Sequence, residues 1–366
     1  MITDTLEYFE SKKKQIARAL HDLPPIPGNN GSDSLERIVE FAMRGKMIRG
    51  CLVFLGAEAT PEEAPSAAAI TDIAQCAAAM ELFQAGLLVH DDIMDRDETR
   101  RGAPTIHARY AAEARAAGSG DPLHAGEALG ICLGDLCYFE AYALLVRGLG
   151  PVGRDSADAS VSRSGKALSL LSSGLAEVAV AQMSDVLWSS EKAEPSEDAI
   201  LKMYIGKTAH YSFSLPLSLG ALCAGDLSIV EPLYRLGENL GILFQLRDDE
   251  LGLFGDEASM GKGVGSDLRE GKKTLFRARL MTVAPDEKRE RLERAFMPGE
   301  RDGAELVEDI AYIRGLAEDL GVSDGIESMK REAEKEAHAI IEALSLNPST
   351  TAVFEGLVDY VTRRDK

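Results

Sequence analysis

The run Leu82-Phe83-Gln84-Ala85-Gly86-Leu87-Leu88-Val89-His90 is strongly apolar and passes straight into Asp91-Asp92-Ile93-Met94-Asp95. Working backward, alanine-rich spacing extends the same helix to about residue 65, so a long buried helix is expected over 65–95. Its carboxylates fall where that helix emerges. A solvated acidic face would spread charge around the helix instead of concentrating it at one end. Asp91 and Asp95 are four apart and share one face, a spacing that suits two ligands on one hard cation. Carboxylates this close repel one another, and the arrangement is costly without cations between them.

The situation recurs far along the chain. Phe244-Gln245-Leu246-Arg247-Asp248-Asp249-Glu250 closes a helix expected over 227–250, whose Leu233, Leu236, Leu240, Leu243 and Phe244 form one buried stripe. Gly261-Lys262 and Gly265-Ser266-Asp267 follow. Recurrence of an expensive feature is stronger evidence than either copy. Two acidic clusters with Lys and Arg nearby point to a phosphate-bearing substrate held by metal ions on one side and cations on the other.

Helical periodicity dominates elsewhere, and strand-like alternation is rare. An amphipathic helix over 2–22 stops at Leu23-Pro24-Pro25. Ser34 is the expected cap of a second, short helix that runs into Arg44-Gly45-Lys46. A third helix is expected over 49–58, with a turn at Pro61. Beyond the loop 117–128 come helices at about 126–148, 165–190 and 196–222, with a surface connection over 148–165. A charged helical layer spans 282–345, and a last helix spans 348–364. Without repeats or low-complexity linkers, the expectation is one all-α domain over 1–366.

A net charge of −20 with a pI near 4.8 argues against nucleic acid and against docking on anionic lipid. Five cysteines, odd in number and without a C-x-x-C pair, read as core thiols in a reducing compartment. The N-terminus lacks a basic segment followed by an apolar run. Apolar stretches look interrupted by charge before they could span a bilayer. A cytoplasmic protein with no integral membrane segment is expected.

Taken singly, the basic residues say little. Lys46 and Arg49 flank a turn into a helix, Arg100-Arg101 sit where they could simply neutralise the first aspartates, and Lys207-Thr208 lack the frame of a phosphate loop. As an ordered set they say much more. Gly45-Lys46-x-x-Arg49, Leu88-Val89-His90-Asp91-Asp92-x-x-Asp95, Arg100-Arg101-Gly102-x-Pro104-Thr105 and Gln182-x-x-Asp185 come first. Tyr204-x-x-Lys207-Thr208, Phe244-Gln245-x-x-Asp248-Asp249, Gly261-Lys262-x-x-Gly265-x-Asp267 and Tyr360-Val361-x-x-Arg364 follow in order. With these blocks the chain resembles the trans-polyprenyl diphosphate synthases, over roughly residues 44–364.

The resemblance implies an all-helical isoprenoid-synthase bundle around a deep central cavity, in a homodimer. It implies a Mg²⁺-dependent prenyltransferase that condenses isopentenyl diphosphate with allylic diphosphates. Asp91, Asp95 and Asp248 would be the main ligands of a magnesium cluster, with Asp92 and Asp249 supporting. Arg100, Lys207 and Lys262 would hold the allylic diphosphate, and Lys46, Arg49 and Arg101 the diphosphate of isopentenyl diphosphate. Thr208 and Gln245 would steady positive charge near the reacting carbons. No side-chain nucleophile is needed, consistent with the absence of a Ser-His-Asp or Cys-His signature.

Two positions depart from the family pattern. Gly252 stands where a third aspartate of the second motif is common, and Gln84 where many members have a His that helps bind isopentenyl diphosphate. Chain length should be set on the helix before Asp91. Gly86 and Leu87 replace the aromatic block of farnesyl-producing members and read as an open floor, with close helix packing as the bland alternative for Gly86. Phe83 lies about 12 Å below Asp91 at about 1.5 Å per residue, and could be the real floor. The expected product is geranylgeranyl diphosphate (C20), with C25 or longer next. A silent subunit of a heteromeric synthase and a terpene cyclase of the same fold are the rival readings. The retained aspartates and the Lys46/Arg49 pair weigh against them.

Overall fold

The computed structural model describes residues 2–60, 67–150, 162–190, 194–255, 265, 268–269, 271–297, 299 and 303–363. The fold is all-α. In chain order the helices are α1 (Ile2–His21), α2 (Gly31–Met43), α3 (Ile48–Glu58), α4 (Ala67–Met94), α5 (Ile106–Ala116), α6 (Pro122–Leu149) and α7 (Arg163–Ser190). Next come α8 (Glu197–Tyr204), a π-helix (Ile205–Ser214), α9 (Leu215–Ala224) and α10 (Val230–Phe254). The chain ends with α11 (Leu275–Val283), α12 (Asp286–Ala295), α13 (Gly303–Asp319), α14 (Val322–Ala343) and α15 (Pro348–Arg363). Among the described residues the strands are a two-residue antiparallel pair, β1 (Thr99–Arg100) and β2 (Ala103–Pro104).

Packing divides the chain into two units. One comprises residues 6–168 and 216–230, and the other residues 1–5, 169–215 and 231–366. In the first, α4 lies along α6 and α3, and α5 covers α6. Met80, Leu82, Phe83 and Val89 of α4 are almost fully buried. In the second, Ile200, Tyr204, Leu246, Leu275, Phe276 and Ile313 belong to one core cluster.

Several boundaries differ from expectation. α2 starts at Gly31 with Asn30 before it, so Ser34 lies inside the helix and caps nothing. The single helix expected over 196–222 is three pieces, because a π-helix interrupts it. Its start does follow the expected chemistry: Ser196 Oγ accepts the Ala199 N–H at 3.2 Å. The turn at Pro61 and most of the 148–165 connection lie outside the described residues.

One expectation is corrected. Helices α4, α6 and α7 are each long and apolar enough, by length and composition alone, to cross a membrane. Isolated charges such as Glu81 do not stop a helix, so an 18-residue window averages apolar across them. In α4 that hydropathy serves the core, since 72% of its window is buried in the protein, against 39% in α6 and 28% in α7.

Candidate active site

Asp91 and Asp92 sit in the last turn of α4, and Asp95 lies just beyond it, donating its N–H to Asp91 O at 2.8 Å. The three carboxylates take different environments. Asp95 is exposed and Asp91 partly so, while Asp92 is buried. Asp92 accepts a hydrogen bond from Arg100 Nε, and the same guanidinium lies 3.6 Å from Asp91 and 3.9 Å from Asp97. Burial pushes the Asp92 carboxyl up to about 6, with Arg100 pulling it down. Arg100 therefore neutralises the acids directly, as the plainest reading of the sequence allows.

Asp91 and Asp95 fit a divalent cation. They offer hard oxygen donors one helical turn apart, and Mg²⁺ is commonly held by one or two carboxylates with substrate phosphates completing its shell. Among the described residues no group of three His, Cys, Asp or Glu side chains is placed to hold an ion by itself.

The turn between β1 and β2 sends the two neighbouring arginines to different places. Arg101 adopts left-handed backbone (φ 53°) ahead of Gly102 (φ 74°). Its side chain lines a cavity of about 450 Å³, together with Lys46, Arg49 and Gln84. Lys13 and Arg44 join them, so five basic side chains face one acid, Glu81. Burial lowers the affinity of Arg101 for its proton; Arg100 and Arg49 push the same way, and Glu81 opposes. Glu81 is itself buried and accepts the Gly50 N–H at 2.7 Å. Burial raises its carboxyl, while the Gly50 N–H, Arg49 and Arg101 pull it down. The cavity, built within one unit, is lined by an excess of positive charge suited to an anion.

Glu81 escaped sequence reasoning, although it is the one acid between Asp72 and Asp91. A lone carboxylate kept in so apolar a run was the available signal.

The chain-length residues divide. Gly86 is not open floor: a Cβ there would meet Tyr138 Cε1 at 2.6 Å and Gly134 O at 2.9 Å. α6 packs tightly against α4 at Gly86, and that corrects the expectation of free space. Leu87 is partly buried. Phe83 is buried, with its ring edge-on to Tyr142 at 5.1 Å and stacked near Tyr138 at 6.4 Å.

The second unit holds the remaining residues. Thr208 Oγ1 donates to Gln245 Oε1 at 2.9 Å, and Gln245 Nε2 donates to Asp249 Oδ1 at 2.9 Å. Asp249 Oδ2 accepts from the Tyr204 hydroxyl, which in turn accepts the Leu275 N–H at 3.0 Å. Lys207 Nζ pairs with Asp185. The π-helix thus carries Lys207 toward α7 and Thr208 toward α10.

Asp248 is exposed, whereas Asp249 is buried with both oxygens engaged. The two acidic motifs share this division, an outward first aspartate and an inward second one. Asp92 and Asp249, expected to support the main ligands, are the inward member of each pair. Gly252 is buried, and its carbonyl accepts the Gly265 N–H at 3.2 Å. Lys262, Gly261, Ser266, Asp267 and Arg364 lie outside the described residues.

Comparison with known proteins points to one family. A family model described as polyprenyl synthetase matches residues 32–313. A short chain isoprenyl diphosphate synthase of Methanothermobacter thermautotrophicus is 29% identical over 286 residues, covering 78% of this chain and 77% of that protein. A geranylgeranyl diphosphate synthase of Methanosarcina mazei is 28% identical over 366 residues, covering 100% of this chain and 99% of that protein. A geranylgeranyl pyrophosphate synthase from Corynebacterium glutamicum, solved with isoprenyl diphosphate and magnesium, has a TM-score of 0.80 and 28% identity. That similarity covers 98% of this chain and 99% of the other.

Proposed function

The chain belongs to the polyprenyl synthetase family, and from that premise we propose that it extends allylic diphosphates with isopentenyl diphosphate, chiefly to geranylgeranyl diphosphate (C20). It is a trans-prenyltransferase. The observation that carries the substrate assignment is the basic cavity. Lys46, Arg49 and Arg101 line one space with Gln84, on the helix whose end bears Asp91. Arginine forks and lysine point charges are the usual partners of phosphate oxygens. Gln84 supplies amide hydrogen bonds in place of a histidine.

In this reading Lys207, Arg100 and Lys262 hold the allylic diphosphate, and Asp91, Asp95 and Asp248 hold Mg²⁺. When bound, the metal acts as a Lewis acid that stabilises the departing pyrophosphate. Asp92 positions Arg100 at the leaving group. Thr208 directs its proton to Gln245, which leaves its oxygen lone pairs to face developing positive charge. The Gln245 amide is held in one orientation because Asp249 accepts from its nitrogen. The double bond of isopentenyl diphosphate attacks the allylic carbon, and a proton is lost to the released pyrophosphate. Phe83, not Gly86, is the residue that limits product length. Two copies pair through α6, where Cys132, Phe139 and Val146 are exposed at seven-residue spacing.

The test is incubation of the purified chain with isopentenyl diphosphate, each allylic primer and Mg²⁺, followed by chromatography of the dephosphorylated alcohols. C20 alcohol is expected, and Lys46→Ala or Arg49→Ala should raise KM for isopentenyl diphosphate about 10- to 100-fold, the loss of one charged hydrogen bond. No alcohol longer than its primer, from any primer, would sink the reading.

A further inference from the structure

His210 lies in the π-helix, just past Thr208, and its ring is gripped at both nitrogens. Nδ1 is 2.7 Å from Glu177 Oε2 on α7, and Nε2 is 2.9 Å from Glu238 Oε1 on α10. The titratable and charged groups facing the ring are these two glutamates and Tyr234, whose ring centroid is 5.0 Å away. Ionised carboxylates only accept hydrogen bonds, so both ring nitrogens must donate for both contacts to form. The closed arrangement therefore contains an imidazolium. A neutral ring has one donor and would turn a lone pair toward one of the glutamates.

The location gives this clasp its significance. A π-helix is rare and makes wider turns than an α-helix, so its register has to be held by neighbours. The Leu215 N–H donates to His210 O, a five-residue bond that fixes the end of the segment. Lys207 ties the segment to α7 through Asp185, and Thr208 ties it to α10 through Gln245. His210 joins the same two helices from the next stretch of the segment. The ring's side chain is only 13% exposed, which opposes its charge, yet the two glutamates hold its proton affinity above the ordinary value.

We propose that His210, as an imidazolium clasped between Glu177 and Glu238, is a positioning residue that keeps the π-helix in register and thereby keeps Lys207 and Thr208 in place. This rests on the prenyl-transfer reading of the site, and it makes turnover fall as the clasp loses its proton. No step of the reaction passes through the ring itself.

The experiment combines NMR titration of the histidine rings in the whole substrate-free protein with pH profiles of kcat. His210→Gln assigns the resonance, and Glu238→Gln weakens the clasp without touching the ring. In the wild type the ring should titrate above about 6.5, the unperturbed value, and Glu238→Gln should lower that pKa by about one unit. The alkaline limb of kcat should move down by the same interval. His210→Gln should lower kcat about tenfold at neutral pH and lose that limb. A ring that titrates at or below the ordinary value, or an alkaline limb that stays put while the ring pKa moves, overturns the proposal. Should the wild type make no elongated product at any pH, the functional reading fails. The clasp is then judged by amide exchange over residues 205–214, which must speed up as the ring loses its proton and whose indifference refutes it.

Discussion

Phe83 and Gly86 lie on the same helix, one turn apart, yet they differ in what a change at each can do. Phe83 is a large ring held between Tyr138 and Tyr142, so a smaller side chain leaves space. Gly86 has no space to give, because Tyr138 and the Gly134 carbonyl already occupy it. Phe83→Leu should lengthen the main product by at least one isoprene unit in the alcohol assay. Gly86→Ala should leave product length alone and cost about 1–3 kcal/mol in denaturant unfolding, the usual range for overpacking. A longer product from Gly86→Ala, or an unchanged one from Phe83→Leu, would overturn the assignment.

At the scale of elements, the π-helix does the most to arrange the second unit, and α10 is shaped to receive it. A Cβ at Gly241 would lie 2.2 Å from Ala209 Cα and 2.3 Å from Ala209 Cβ. Backbone cannot yield as a flexible side-chain tip does. Gly241→Ala should therefore separate the elements, stretch the Thr208–Gln245 bond and lower kcat at least tenfold, with about 1–3 kcal/mol of stability lost. Wild-type kcat in a folded Gly241→Ala protein would contradict this. None of that was legible beforehand. Apolar spacing over 196–222 reports a helix but not which carbonyl each N–H reaches, so one long α-helix was the natural reading. Helix α5 was missed for a different reason: Ile106 and Ala111 are its only buried residues, too few to make a stripe. What could be read was charge at the end of an apolar run, which picked out the two acidic clusters, Asp91-Asp92 with Asp95 and Asp248-Asp249. Which aspartate of each pair turns inward could not, because Arg100 and Tyr204 decide it, and Tyr204 is distant in sequence from Asp249. The glutamates that hold His210 are equally remote from it.

At the scale of the whole molecule, α6 presents an uncovered apolar surface. Phe139 is 66% exposed and Val146 54%, more apolar surface than an isolated helix face needs. Phe139→Glu should convert a dimer into a monomer in sedimentation or light scattering. A wild-type chain that is monomeric at micromolar concentration would rule the pairing out. At the other extreme of polarity, the acids at the end of α4 have a consequence of their own. Asp91 and Asp92 occupy the last turn, where the aligned peptide dipoles of the helix gather partial negative charge. Side chain and backbone therefore push the local potential in one direction, and a cation arriving there is drawn by the pole of the helix as well as by the aspartates. Amide replacement at Asp91 takes away only part of that pull, because the pole belongs to the main chain and no side-chain exchange can remove it.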